Sequence, residues 1–304
     1  MSDGSSDVPS YENLYDLQEG YPHKSYPALI LNVCPTGMVP TKRENPNVPV
    51  DPAEIVEDAA RVIEAGASML HVHARGPDGA PTWRPEVFQR IIEGIRGIDP
   101  DVVVVATTSG RTFTSYEQRS AVLELDGTAK PDMASLTLGS LNFPTSASVN
   151  APDVVCRLAT RMQERGIQPE LEVFELGMLN FAFHLQRRGL LGSPCYVNFL
   201  LGSLGTTPAR VLDLCNLVRE VPRGWTWAGT GVGRYQLPVN VAAMIMGGNV
   251  RVGLEDNLYL DPAKTELATN LGLVRRLVRI ASEIGRSIAT PRETRVRLGL
   301  PVRA

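Results

Sequence analysis

The sequence predicts a (β/α)8 barrel, and three observations carry that expectation. Between residues 28 and 300, short apolar runs alternate with amphipathic stretches eight times, and strands alternating with helices imply parallel pairing through crossovers. Eight such units in 304 residues fit a closed barrel better than an open doubly wound sheet. No GxGxxG run follows the first strand, so the dinucleotide-binding signature is missing.

The first apolar run, ALILNVCPTG (28–37), reads as a strand ending in a Pro/Gly loop. Asp51-Pro52 then supplies an N-cap and a first-turn proline, and Ile55, Ala59, Val62 and Ile63 share one helical face. SMLHVH (68–73) is the second strand, followed by a helix over 85–95 with Val87, Phe88, Ile91, Ile92 and Ile95 inward. DVVVVATT (101–108) is a β-branched run of the kind a strand covered on both faces requires. A helix over 115–125 follows it. The remaining strands are expected at 132–139, 170–176, 195–202, 225–231 and 249–255. Helices are expected at 152–166, 178–189, 208–219, 236–246 and 265–284, the last with Leu267, Leu271, Val274, Val278 and Ala281 on one stripe. Nothing in 28–300 resembles a linker, so residues 27–304 form one barrel domain. Residues 1–26 lack periodicity but carry four tyrosines, and are expected to form an arm packed on a neighbouring subunit.

A formal net charge of −3 gives no reason to expect nucleic acid or an anionic membrane as partner. No apolar run approaches the roughly 20 residues of a membrane helix, and the acidic, polar N-terminus is unlike a signal peptide. Cys34, Cys156, Cys195 and Cys215 show no paired spacing, which points to reduced thiols in a cytoplasm.

In such a barrel, chemistry gathers at the C-terminal ends of the strands. His71 and His73 end the second strand. Residues two apart share a face and stand roughly 6.5–7 Å apart along the strand, so both rings can converge on one ion, zinc or another divalent metal. Taken alone, such a pair is as readily two satisfied core histidines. The other two histidines, His23 and His184, are poorly placed to help. In RVGLEDN (251–257), Arg251, Gly253 and Glu255 are expected on one strand face, which makes Glu255 a third ligand and leaves positions open for water or substrate. Asp256 follows, free to act as a base, although a Glu-Asp pair alone reads more simply as a loop cap. Glu172 in strand five shares its face with Glu170 and Phe174. A carboxylate there is costly unless paired, and Arg251 is its natural partner.

Thr107, Thr108, Ser135, Thr137 and Asn142 lie at or beyond strand ends, where hydroxyls and amides can hold the oxygens of a small polar substrate. The Gly-rich loops at 202–207 and 229–234 lead towards helix N-termini, and Gly231, Gly233 and Arg234 of the second are candidates for a phosphate-bearing cofactor. Such loops also serve simply as turns. Trp83 and Cys34 have no specific reading.

Taken together, HVHAR (71–75), PTW (81–83), MASLTLGSLNF (133–143), PELEVFELGM (169–178) and GGNVRVGLEDNLYL (247–260) resemble the β-keto acid cleavage enzymes, typified by 3-keto-5-aminohexanoate cleavage enzyme. The resemblance spans about residues 28–300. It implies a zinc-dependent barrel, a homotetramer, that condenses a β-keto acid with acetyl-CoA to give acetoacetate and a new acyl-CoA. It also implies His71, His73 and Glu255 as zinc ligands and Asp256 as general base, in a charged cluster with Arg251 and Glu172. Thr107 and Ser135 stand where the family places substrate-holding hydroxyls. A β-keto acid can chelate a Lewis acid through its keto and carboxylate oxygens, so the chemistry suits the residue set.

Two positions depart from the pattern of members acting on amine-bearing substrates. Val39 stands in place of an acidic residue and Asn249 in place of a histidine. With Arg111 just after strand three as a candidate for an acidic tail, a neutral or anionic β-keto acid is expected. The alternatives are another metal-dependent barrel lyase or hydrolase, which usually recruits more histidines, and a non-catalytic ligand-binding barrel.

Overall fold

Eight parallel strands close into one barrel, each hydrogen-bonded to its neighbours in chain order, with the last returning to the first. The computed structural model describes residues 26–303. The expected N-terminal arm therefore lies outside the described residues except for Tyr26, whose hydroxyl donates to the Ile245 carbonyl at 3.0 Å.

The strands are β1 (Leu31–Val33), β2 (Met69–Val72), β3 (Val103–Ala106), β4 (Met133–Thr137), β5 (Gln168–Val173), β6 (Tyr196–Leu201), β7 (Thr226–Gly231) and β8 (Asn249–Val252). Between and after them run α1 (Pro52–Glu64), α2 (Pro85–Ile98), α3 (Tyr116–Ser120), α4 (Pro152–Arg165), α5 (Leu176–Arg187), α6 (Val211–Arg219), α7 (Gln236–Ile245), α8 (Asn270–Glu283) and α9 (Pro291–Leu298). Their starts follow local chemistry. Asp51 accepts from the Glu54 amide with Pro52 in the first turn of α1, as the sequence predicts. Thr290 and Glu293 form a reciprocal capping box at α9.

Along the barrel's inner face the side chains change character from bottom to top. Ile30, Met69, Val103, Met133, Tyr196 and Ala228 make an apolar lower layer, and Leu298 and Leu300, at and beyond the end of α9, pack into it. That closing helix is absent from the sequence-based expectation. Above this layer the inward positions turn polar, with Asn32, His71, Ser135, Glu170, Asn198 and Arg251 all buried. Outward positions such as Leu70, Val72, Val104 and Leu171 belong to the larger core between sheet and helices. The period-2 alternation of each strand thus separates packing from chemistry.

Two expectations change. The last barrel helix begins at Asn270, not 265, because Thr269 caps it through the Gly272 amide. Its buried stripe is Leu273, Val274, Leu277 and Ala281, while Leu267 is 41% exposed in the preceding turn. The final strand ends at Val252, so Glu255 is not on the strand face it was expected to share with Arg251. Gly253 ends the strand at φ +154, where a Cβ would meet the Cys34 carbonyl oxygen at 2.1 Å. The turn that follows presents Glu255 to the interior, its amide donating to that same carbonyl at 3.2 Å.

Candidate active site

At the C-terminal mouth, β2, β5, β8 and the residues just after them bring seven charged or titratable side chains together: His71, His73, Glu170, Glu172, Arg251, Glu255 and Asp256. The two imidazoles converge: the Nε2 atoms of His71 and His73 stand 3.3 Å apart. Glu255 completes the group, Oε1 lying 3.1 Å from His73 Nε2 and Oε2 lying 4.0 Å from His71 Nε2. Gly37 presses against it: a Cβ there would lie 2.4 Å from Glu255 Cγ. The PTG loop after β1 therefore fixes the glutamate by close backbone approach.

Arg251 is the hub. Its guanidinium reaches Glu255 Oε1 at 2.8 Å, Asp256 Oδ2 at 3.1 Å and Glu172 Oε1 at 3.3 Å, so the expected pairing with Glu172 is present. Glu172 Oε2 also accepts from the Thr137 hydroxyl at 2.7 Å. Glu170, which sequence reasoning placed on this face without a role, accepts from His71 Nδ1 at 2.6 Å and from the Asn32 amide at 2.7 Å. Cys34, also without a role from sequence, donates its thiol hydrogen to Asp256 Oδ2 at 3.1 Å. Both residues could have been found from period-2 spacing: Glu170 lies two before Glu172, and Asn32 and Cys34 alternate inward along the first strand.

The electrostatics follow from burial and this wiring. Burial pushes the Asp256 and Glu172 carboxyls above their ordinary values, and Arg251 opposes the shift without overcoming it. For Glu255, Arg251 and the two histidines outweigh burial and hold the carboxyl well below its ordinary value. Burial lowers His73. Burial and Arg251 also press His71 down, but Glu170 and Glu255 together raise it.

A divalent metal fits this donor set. Ligand atoms of His71, His73 and Glu255 all lie within 4.8 Å of one another. Atoms bound tetrahedrally at ~2.0–2.1 Å stand about 3.3 Å apart, close to the observed histidine–histidine and histidine–glutamate separations. Glu255 Oε2 is buried with no hydrogen-bond partner, as a free ligand atom would be. With its Nδ1 hydrogen given to Glu170, the neutral form of His71, the form that binds a metal, turns a lone pair on Nε2 towards the others, an arrangement common among metal-binding histidines. His184 stacks on Phe181 in α5 and takes no part.

Above the cluster lies a cavity of about 360 Å³. Of the expected substrate-binding residues, Thr107, Thr137, Val39 and Arg111 line it. Thr108 and Ser135 do not: Thr108 donates its amide to Ser135 Oγ at 3.0 Å and its hydroxyl to the Ser135 carbonyl at 2.5 Å. Asn142 is exposed outside the cavity wall. In the glycine-rich loop after β7, Gly233 lines the cavity and its amide donates to the Asp256 carbonyl at 2.7 Å. Gly231 instead packs under the Tyr235 carbonyl, and Arg234 is exposed with its guanidinium 5.7 Å from the Tyr235 ring. The four cysteines are unpaired thiols. No helix of the described residues is long and apolar enough to cross a membrane.

Known proteins match this chain over nearly their whole length. The chain is 40% identical over 274 residues to a 3-keto-5-aminohexanoate cleavage enzyme of Fusobacterium nucleatum, covering 90% of this chain and 98% of that protein. It is 38% identical over 275 residues to a 3-oxoadipate:acetyl-CoA acetyltransferase of Cupriavidus necator, covering 90% of this chain and 95% of that protein. Among solved structures, apo ObcA superposes with a TM-score of 0.76 at 20% identity, over 84% of this chain and 66% of that one, a likeness of fold alone. Residues 28–300 match the beta-keto acid cleavage enzyme family, and the chain belongs to that family.

Proposed function

We propose that the chain condenses a β-keto acid with acetyl-CoA, yielding acetoacetate and the acyl-CoA of the remaining chain, with zinc or another divalent metal held by His71, His73 and Glu255. One observation carries this reading. An open His/His/Glu donor set adjoins a carboxyl, Asp256, that Arg251 and Cys34 orient at the floor of one cavity. The names of the relatives from F. nucleatum and C. necator support it.

When bound, the metal supplies a Lewis acid for the keto and carboxylate oxygens of the substrate. The protein's own groups do the rest. Asp256 takes a proton from the carbon between the two carbonyls, its basicity strengthened by burial. Arg251 holds that carboxylate through Nε and keeps it aimed. The electron pair left on carbon attacks the acetyl carbonyl carbon, a C–C bond forms, and the C–S bond of acetyl-CoA breaks to release the CoA thiolate. The thiolate then adds to the original keto carbon. The bond between that carbon and its neighbour breaks, releasing acyl-CoA, and the proton returns from Asp256 to give acetoacetate. Thr107 and Thr137 line the cavity and can hold substrate oxygens beside the cluster.

The test is isotopic. With acetyl-CoA labelled at both acetyl carbons and an unlabelled β-keto acid, mass spectrometry should find acetoacetate carrying two labelled carbons together with unlabelled acyl-CoA. Turnover that proceeds without acetyl-CoA, or unlabelled acetoacetate, would replace this reading with that of a barrel lyase or hydrolase.

A further inference from the structure

From the stacked arginine on the cavity wall, we propose that Arg111 is the specificity-determining residue of the cavity, and that the preferred substrates are β-keto acids whose far end carries a carboxylate. The inference rests on the β-keto acid reading above and narrows it to dicarboxylic substrates.

The cavity has two ends of different chemistry. Its floor holds the charged cluster, where the carboxylates of Glu172, Glu255 and Asp256 are already engaged by Arg251. Its wall carries an apolar stretch of Val39, Leu141, Phe143 and Leu258, with Val39 half exposed on it. Arg111 enters that wall from the loop after β3, its guanidinium 4.0 Å above the centre of the Phe143 ring. Stacking on an aromatic face holds the planar cation in place while its N–H edge stays free to donate. Among the described residues no carboxylate stands within ion-pair distance of it, whereas many other arginines in the chain have one. A half-buried cation without an anion is costly in proportion to its desolvation, and a ligand carboxylate removes that cost by a two-pronged pairing.

The charges nearby favour the same ligand. Lys264 lines the same cavity and has no acidic partner among the described residues, which adds a second positive charge to the wall. Among the described residues, Glu44 is the acidic residue on the wall apart from the floor cluster, and its carboxylate accepts from the Thr41 amide and hydroxyl at 3.0 and 2.8 Å. An ammonium tail finds no carboxylate at Val39 and meets Arg111 as a like charge.

Two β-keto acids of equal length, one ending in a carboxylate and one in a methyl group, decide the matter with wild type, Arg111→Gln and Arg111→Lys. Wild type should show a kcat/KM at least tenfold higher for the carboxylate acid. The ratio of the two kcat/KM values should fall about 10- to 100-fold in Arg111→Gln, the range for losing a hydrogen bond to a charged group, and be partly restored in Arg111→Lys. A wild-type ratio of one or less, or a ratio that Arg111→Gln leaves unchanged, overturns the proposal. A ratio unchanged with a raised KM for acetyl-CoA would instead place Arg111 on the CoA phosphates. If neither acid turns over, the proposed reaction falls, and calorimetry with adipate against hexanoate still tests the tail site. Tighter adipate binding that Arg111→Gln abolishes upholds it, and equal binding overturns it.

Discussion

His71 and Glu170 meet inside the barrel, the Nδ1 hydrogen of the imidazole donated to Oε2 at 2.6 Å with both side chains shut off from solvent. The pair spans from β2 to β5, and it fixes which nitrogen of His71 faces the mouth. A carboxylate accepts only, so in the neutral ring the hydrogen sits on Nδ1 and Nε2 is left as a ligand.

Glu170→Gln should therefore weaken metal binding without removing a ligand. Losing the partner of a metal-bound histidine costs about 10–100-fold in affinity, measurable by competition with a chromophoric chelator. Affinity equal to wild type would contradict the role assigned to this pair.

Asp256→Asn keeps the shape and the Arg251 contact but cannot take a proton. Turnover should fall by about 10²–10⁴-fold, the range for removing a general base, while metal content stays at the wild-type level. A variant that retains a tenth of wild-type kcat would place the proton transfer on another group.

Much of this site was legible before the structure, for a physical reason. A barrel forces function to the strand ends, so HxH and RxGxED could be located by counting strands. The structure brings His71, His73, Arg251, Glu172 and Asp256 to one place. Position within the turn after β8 was not legible, because it depends on Gly253 packing against the Cys34 carbonyl, a contact between the two ends of the chain. Glu170, Asn32 and Cys34 were left without a role because each acts by supporting another side chain: period-2 spacing turns them inward but does not name the group each one supports. Thr108 and Ser135 read as substrate ligands from their positions, yet adjacent strands let them bond to one another.

Gly253→Ala should be poorly tolerated. The added carbon would lie 2.1 Å from a backbone oxygen, and backbone cannot yield as a flexible side chain would. A loss on the order of 3 kcal/mol in urea unfolding is expected, with the Glu255 turn displaced and metal affinity reduced. A loss below about 0.5 kcal/mol, within the range of an ordinary surface substitution, would show that the turn relaxes freely.

Acid stability should trace to the opposite end of the barrel. Asp132 is buried, accepting from Arg295 at 2.8 Å, Arg303 at 3.0 Å and the Val104 amide at 2.9 Å, with Arg96 also bonded to it. Burial alone would raise its carboxyl, but Arg96 and Arg295 outweigh it and hold the group below its ordinary 3.8. A lowered native value stabilises the fold at pH above the ordinary one, and that contribution is lost as pH falls through the native value. Asp132→Asn should cost about 3–5 kcal/mol at pH 7 by leaving buried guanidinium groups unpaired. Denaturation at stepped pH should show the gap to wild type narrowing below pH 3.8, and a gap constant down to pH 2 would contradict the assignment.

The central claim is that His71, His73 and Glu255 form an open metal site, and elemental analysis of purified wild type beside His73→Ala tests it most directly. The account predicts about one zinc or other divalent ion per wild-type chain after dialysis, lost in a variant that remains folded by circular dichroism. Metal absent from wild type even after zinc is supplied, or retained at full stoichiometry by His73→Ala, would contradict it.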